Sequence, residues 1–336
     1  EAGQREVCYF GNKILFLYFC GYSLTWLNTG ETAYWITYDD TVPLFLPLYA
    51  RARLYDMRKI ARRELQLGKR VSGAFNFDSG WEYTYWLNDV ITARAAWDPL
   101  DLSLDENTAY KMYLKKVTRI FGKFADQMAE LLVQYTQMQH QLLVLGQLNN
   151  STVIDNIKLK SGIAYLSGWD TWSQISGVIG LAQTQPEKVD LWQMWPYPPQ
   201  VYFKHVKPLL VLMDETFSNF AGQFSALATS VTGKYAQIFM NEIVDSAQLT
   251  MLRARVVRYA YEARDFSLSA SQRASALSQA VQAVKQAVTT AENRSANYRV
   301  DAKRLNYWRH INPTAYVYGL LWTANSQYFS WRDVYR

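Results

Sequence analysis

Residues 72–98 read SGAFNFDSGWEYTYWLNDVITARAAWD, and their interpretation decides the fold. Residues 70–77 are short and apolar, which suits a buried strand. Residues 80–96 read as a helix, stopped by Asp98-Pro99 because the residue before proline avoids the helical region. Upstream, residues 13–27 (KILFLYFCGYSLTWL) are a continuous apolar run between Gly11-Asn12 and Asn28-Thr29-Gly30, suited to a strand covered on both faces. An aromatic stretch with Pro43 and Pro47 follows, and residues 50–67 give a helix ending at Gly68. Strand, long loop, helix, strand, helix is βαβα order, which predicts a parallel sheet with right-handed crossovers.

From about residue 101 the character changes. Ser103 with Glu106 forms a capping-box pair opening an amphipathic stretch through about 147. A Gly-punctuated section covers 153–198, and Pro198-Pro199 leads into a helix to about 231. A second helix runs from 234 to about 265 after Gly233. Ser269 with Gln272 caps a third, rich in Ala and Gln, to about 295. Asn312-Pro313 precedes a last aromatic helix over 316–335. The expected organisation is therefore an α/β part over 1–100 and an antiparallel helical domain over 101–336. Two or three strands are too few to close a barrel. The expected fold class is α/β followed by all-α: a partial parallel βα layer packed on the helical domain, or the tail of a (β/α)8 barrel.

Aromatic residues make up 15% of the 336 residues, with 12 Trp and 24 Tyr against 15 Phe. Rings with a polar handle suit surfaces that bind something, and also suit a tightly packed helical core. No apolar run approaches the roughly 20 residues of a membrane span. The net charge of +6 concentrates in residues 51–70, which hold eight Arg and Lys side chains against Asp56 and Glu64. Such a helix would face an acidic glycan, a phosphate, an acidic partner or simply solvent. No nucleic-acid signature accompanies the charge. His140, His205 and His310 lack ligand spacing, so neither a metal nor another cofactor is expected. Cys8 and Cys20 would pair if the chain folds back at Gly11-Asn12, or remain two free thiols. Sequons at Asn149, Asn150 and Asn293 tilt the balance toward a secreted, extracellular or lumenal glycoprotein. The chain opens at Glu1 rather than Met, from which removal of an upstream segment is expected.

The chemistry-bearing candidates are carboxylates beside rings. Stacking binds the C–H face of a pyranose, and carboxylates handle its hydroxyls. Asp78 falls where the strand over 70–77 ends, and Glu82 follows four residues later. Carboxylates on a glycosidic bond stand roughly 5–9 Å apart, and i,i+4 helix neighbours stand about 5–6 Å apart. The spacing is permissive for catalysis. Ser79-Gly80-Trp81-Glu82 is equally a capping box, which accounts for Glu82 without chemistry. Trp81, Trp86 and Trp35 are candidate stacking surfaces. Asp39 and Asp40 form a second acidic pair, also readable as an ordinary turn. Ser167-Gly168-Trp169-Asp170 repeats the local pattern and adds Trp169.

The segment from Gly73 through Asp78 and Glu82 to Trp86 resembles the end of a late strand in a (β/α)-barrel glycoside hydrolase. The α/β-then-helical order is similar to barrel enzymes with a helical C-terminal domain, such as the hexosaminidase-like and glucuronidase-like groups. The resemblance implies glycan hydrolysis or glycan binding, and a second chain supplying the missing strands. Those enzymes take their acid and nucleophile from middle strands, which this chain lacks. The alternative expectation is a non-catalytic structural or glycan-binding subunit of an extracellular assembly.

Overall fold

Proline at the first turn and glycine just past the last delimit the first long helix. Helix α1 (Pro47–Leu67) starts at a proline whose missing N–H has no intrahelical partner to lose. It stops at Gly68 (φ 62°), whose N–H reaches the Glu64 carbonyl. The computed structural model describes residues 14–19, 22–28, 45–68, 73–75, 86–146, 153–154, 157–158, 162–167, 200 and 202–296. Helices α2 (Trp86–Trp97), α3 (Glu106–Val117), α4 (Ala125–Gln139) and the short α5 (Gly162–Ser167) follow. The long helices α6 (Lys207–Ala228), α7 (Lys234–Ala263) and α8 (Ala270–Ala296) complete the body. A 3-10 segment over Thr118–Phe124 joins α3 to α4, turning at Gly122, whose φ of 59° favours glycine. Two π-helical turns, His140–Val144 and Tyr202–Val206, extend α4 and precede α6.

The expected parallel βα layer is overturned. The packed body over 45–68, 86–146 and 202–296 is helical and contains no strand. Upstream, β1 (Ile14–Phe19) and β2 (Tyr22–Asn28) form an antiparallel hairpin with Phe19 opposite Tyr22. The run read as one strand over 13–27 thus reverses midway. The three residues of β3 (Gly73–Phe75) pair with β2, and β4 (Val153–Ile154) with β5 (Ile157–Lys158) makes a two-residue ladder. None of this is a barrel wall. The likeness to a barrel glycoside hydrolase therefore falls, and a second chain supplying missing strands loses its basis. The apolar runs do form strands, but short ones, and they carry no packed layer: among the described residues the core is built by helices.

One core joins residues on both sides of position 100, from Phe45, Leu54 and Ile91 to Tyr110, Leu132, Phe217 and Tyr261. At its centre the Tyr135 ring contacts Phe45, Phe217, Phe220 and Phe224 at centroid distances of 5.5, 5.9, 5.0 and 5.6 Å. The buried start of α1 exposes backbone groups that the core must satisfy. Gln139 Nε2 donates to the Phe45 carbonyl (2.6 Å), the Phe45 N–H donates to Thr250 Oγ1 (2.8 Å), and Tyr110 OH donates to the Pro47 carbonyl (3.1 Å). No helix among the described residues is long and apolar enough to cross a membrane.

The two capping boxes read from sequence behave differently. At α8 the Ser269 N–H donates to Gln272 Oε1 (2.9 Å) and the Gln272 N–H donates to Ser269 Oγ (3.2 Å), a reciprocal box. At α3 the cap is instead Asp105, whose Oδ1 accepts from the Asn107 and Thr108 N–H groups at 3.0 Å. Those bonds, with the one from the Thr108 hydroxyl, hold its carboxyl below the ordinary range. Glu106 is drawn away to α1.

Candidate functional site

Asp78, Trp81, Glu82, Trp35, Asp39, Asp40, Trp169, Asn149 and Asn150 all lie outside the described residues. Trp86 is the first residue of α2. Asn293 is exposed in the last turn of α8. Trp86 and Asn293 are the predicted positions that the structure describes. What the structure does give is the frame: β3 ends at Phe75 and α2 begins at Trp86. Leu87, Ile91 and Ala95, spaced four apart, are buried in the main core and fix α2 to the body.

The basic helix expected to face a ligand or solvent turns part of its charge inward. Arg58 is fully buried and donates to Glu106 Oε2 (3.0 Å) and to the carbonyls of Pro99 (2.6 Å), Asp101 (3.2 Å) and Leu104 (2.8 Å). Arg62 Nη2 joins Glu106 Oε1 at 2.7 Å. Between the held carbonyls sits Leu100, a non-glycine residue at φ 59°, a conformation costing about 1–2 kcal/mol. The guanidinium thus fastens a strained loop between α2 and α3. Tyr113 adds a hydroxyl bond to the Asp98 carbonyl, and its phenol is pushed up to about 12 by burial and by the Asp98 charge.

Two further ionic clusters lie between the long helices. Buried Asp214 on α6 accepts from Arg255 Nε (3.1 Å) and Arg258 Nη1 (3.0 Å) of α7, and Arg255 also donates to Ser218 Oγ (2.8 Å). At the other face of α7, Arg294 of α8 grips Glu242 through Nε–Oε2 (2.8 Å) and Nη2–Oε1 (2.5 Å). Asp245 stands three residues beyond Glu242, and burial, reinforced by the Glu242 charge, lifts its carboxyl to about 6. Arg294 holds Glu242 bidentately, so the cluster ties α7 to α8. At the end of α7, buried Asp265 accepts from the Ser267 N–H (3.0 Å) and hydroxyl (2.5 Å), with Lys207 Nζ at 3.5 Å. Burial, and then Asp265 and Glu262, push the nearby Tyr202 phenol up.

None of these clusters stood out in the sequence as local motifs, because their partners are about 40–50 residues apart along the chain: Arg58 and Glu106, Asp214 and Arg255, Glu242 and Arg294. One signal was available. Glu242 and Asp245 continue the three-and-four spacing of Leu249, Leu252 and Val256, which places carboxylates on an otherwise apolar face. Among the described residues no group of three or more His, Cys, Asp or Glu side chains is arranged to hold a metal ion. No family model matches the chain, and no curated protein or solved structure matches it significantly.

Proposed function

We propose that this is a carbohydrate-active protein of an extracellular or lumenal compartment that holds a glycan through the carboxylates and rings of residues 78–86. Asp78 and Glu82 handle hydroxyls or the glycosidic bond, Trp81 and Trp86 supply stacking faces, and Trp35, Asp39, Asp40 and Trp169 are further contacts. The observation that carries the reading is the position of the run. It fills the connection between β3 and α2, and α2 is fixed to the core through Leu87, Ile91 and Ala95. Binding residues are favoured on connections held by a rigid scaffold. The exposed sequon at Asn293 is in keeping with a secretory route.

A second reading has its own support. The middle barrel strands that would carry an acid and a nucleophile have no counterpart in a helical body, which favours a non-catalytic glycan-binding or structural subunit over a hydrolase. A glycan array, followed by titration calorimetry and a glycoside hydrolysis panel, tests both. Trp81→Ala is expected to weaken glycan binding at least tenfold, by about 1.4 kcal/mol or more. Loss of hydrolysis in Asp78→Asn with binding retained makes the protein an enzyme; binding without turnover in the wild type makes it the subunit. An array on which nothing is retained, with the protein folded, overturns the carbohydrate reading.

A further inference from the structure

Helix α2 turns one face to the core and leaves the opposite one open. Leu87, Ile91 and Ala95 are buried, whereas Ala93, Arg94, Ala96 and Trp97 are exposed, the indole to 91%. At 100° per residue, positions 86, 90, 93 and 97 fall within about 60° of one another around the helix axis. Along that axis Trp86 and Trp97 stand about 16 Å apart. The ring of Trp97 is solvated, yet the backbone that carries it is held. The Asp98 N–H closes the last turn on the Arg94 carbonyl (2.8 Å), and Tyr113 OH donates to the Asp98 carbonyl. Beyond it Arg58 fastens the carbonyls of Pro99 and Asp101. Arg94, one turn before the indole, forms no ion pair among the described residues. Asp98 is already engaged, accepting from the Leu100 N–H (3.0 Å) with Lys116 Nζ at 3.8 Å. Two cations therefore face one carboxylate at this end of α2.

We propose that the open face of α2 is a track for an acidic oligosaccharide, with Trp97 stacking on one sugar and Arg94 binding a uronate carboxylate. The track rests on the carbohydrate reading of Trp81 and Trp86, extends it along α2, and names the substrate class as a uronate chain of several units. The indole offers a flat face to the C–H side of a pyranose, and the short side chains of Ala93 and Ala96 do not fence it in. A guanidinium meets a carboxylate through paired N–H donors, and helix neighbours at i,i+3 place Arg94 beside the sugar on Trp97. The excess cation selects an acidic chain over a neutral one. A ring held on a fixed backbone also loses little freedom on binding. Other occupants fit less well. Among the described residues of α2, the open face carries one large exposed apolar side chain, short of the contiguous patch that a protein interface or an interfacial membrane helix buries.

Titration calorimetry of the full chain with galacturonate, mannuronate and glucuronate-containing hexasaccharides tests the track, the tightest being compared with its carboxyl-reduced form. Trp97→Ala is expected to weaken the acidic hexasaccharide about tenfold, and Trp97→Phe, which keeps a ring, to retain most of the affinity. Arg94→Gln is expected to weaken the acidic form about threefold, as befits an exposed charge pair, and to leave the reduced form unchanged. Both side chains are exposed, so far-UV circular dichroism should match the wild type in every variant. Unchanged hexasaccharide affinity in Trp97→Ala overturns the track while a glycan site at 78–86 still stands. If that variant instead loses binding to phosphatidylserine vesicles or loses self-association, the ring belongs to a membrane or to a second copy. Equal weakening of the acidic and reduced forms by Arg94→Gln overturns the uronate assignment. So does a wild type that binds neutral glycans on an array but no uronate hexasaccharide. A wild type that binds no glycan at all overturns the carbohydrate reading together with the track.

Discussion

The core around Tyr135 and the seam between α7 and α8 hold helices together by opposite means. In the core, rings from α4, α6 and the approach to α1 interlock, and a single side chain touches four others. In the seam, alanines and valines let two helices approach closely, and each side chain contributes little area. A ring core is lost as a unit, whereas a seam of small residues with a polar end opens by stages. The difference predicts that the two regions lose their structure independently.

The largest effect should come from the core. Phe217→Ala is expected to lower global stability by about 3–5 kcal/mol, read as a shift of the urea midpoint common to all probes. Arg58→Ala should follow at about 3 kcal/mol, since it leaves Glu106 and several carbonyls without their buried donor. Leu252→Ala should cost about 2 kcal/mol, and a loss of exchange protection confined to α8 and the facing half of α7 would set the seam apart from the core. A loss spread through α4 would erase the distinction. Asp245→Asn should stabilise by about 1 kcal/mol at pH 7.5 and by much less at pH 4, because the native carboxyl titrates above its unfolded value and its penalty vanishes as it protonates. Paired urea melts at the two pH values check the sign. Ser269→Ala, at about 1 kcal/mol or less, should fray only the first turn of α8.

What the sequence made legible was local. The stop at Gly68, the helix after Gly233 and the Ser269–Gln272 box are signals carried within one turn, and the chain obeys them. The Ser103–Glu106 box failed because the helix starts later, where Asp105 accepts from the Asn107 and Thr108 N–H groups, and Arg58 claims Glu106. The parallel layer failed for a different reason: the apolar run at 13–27 carries no marker that tells a wall strand from a hairpin, and the run at 70–77 contributes the three residues of β3. Buried arginines escaped notice because charge reads as surface until a partner more than 40 residues away is brought beside it. Of the site, the frame was legible as α2, while Asp78, Trp81 and Glu82 remain positions to test.

The π turn at His140–Val144 sets the phase of the side chains that end α4. The Leu145 N–H reaches back to the His140 carbonyl (3.0 Å), and the neighbours Leu142 and Leu143 are both fully buried. Such a turn is one residue longer than the α-helical turn it replaces at the end of α4. A chain lacking this residue would keep α4 yet turn the side chains that follow by about 100°, withdrawing one of the two leucines. Deleting one residue between 139 and 145 is thus expected to force one of these two leucines out of the core.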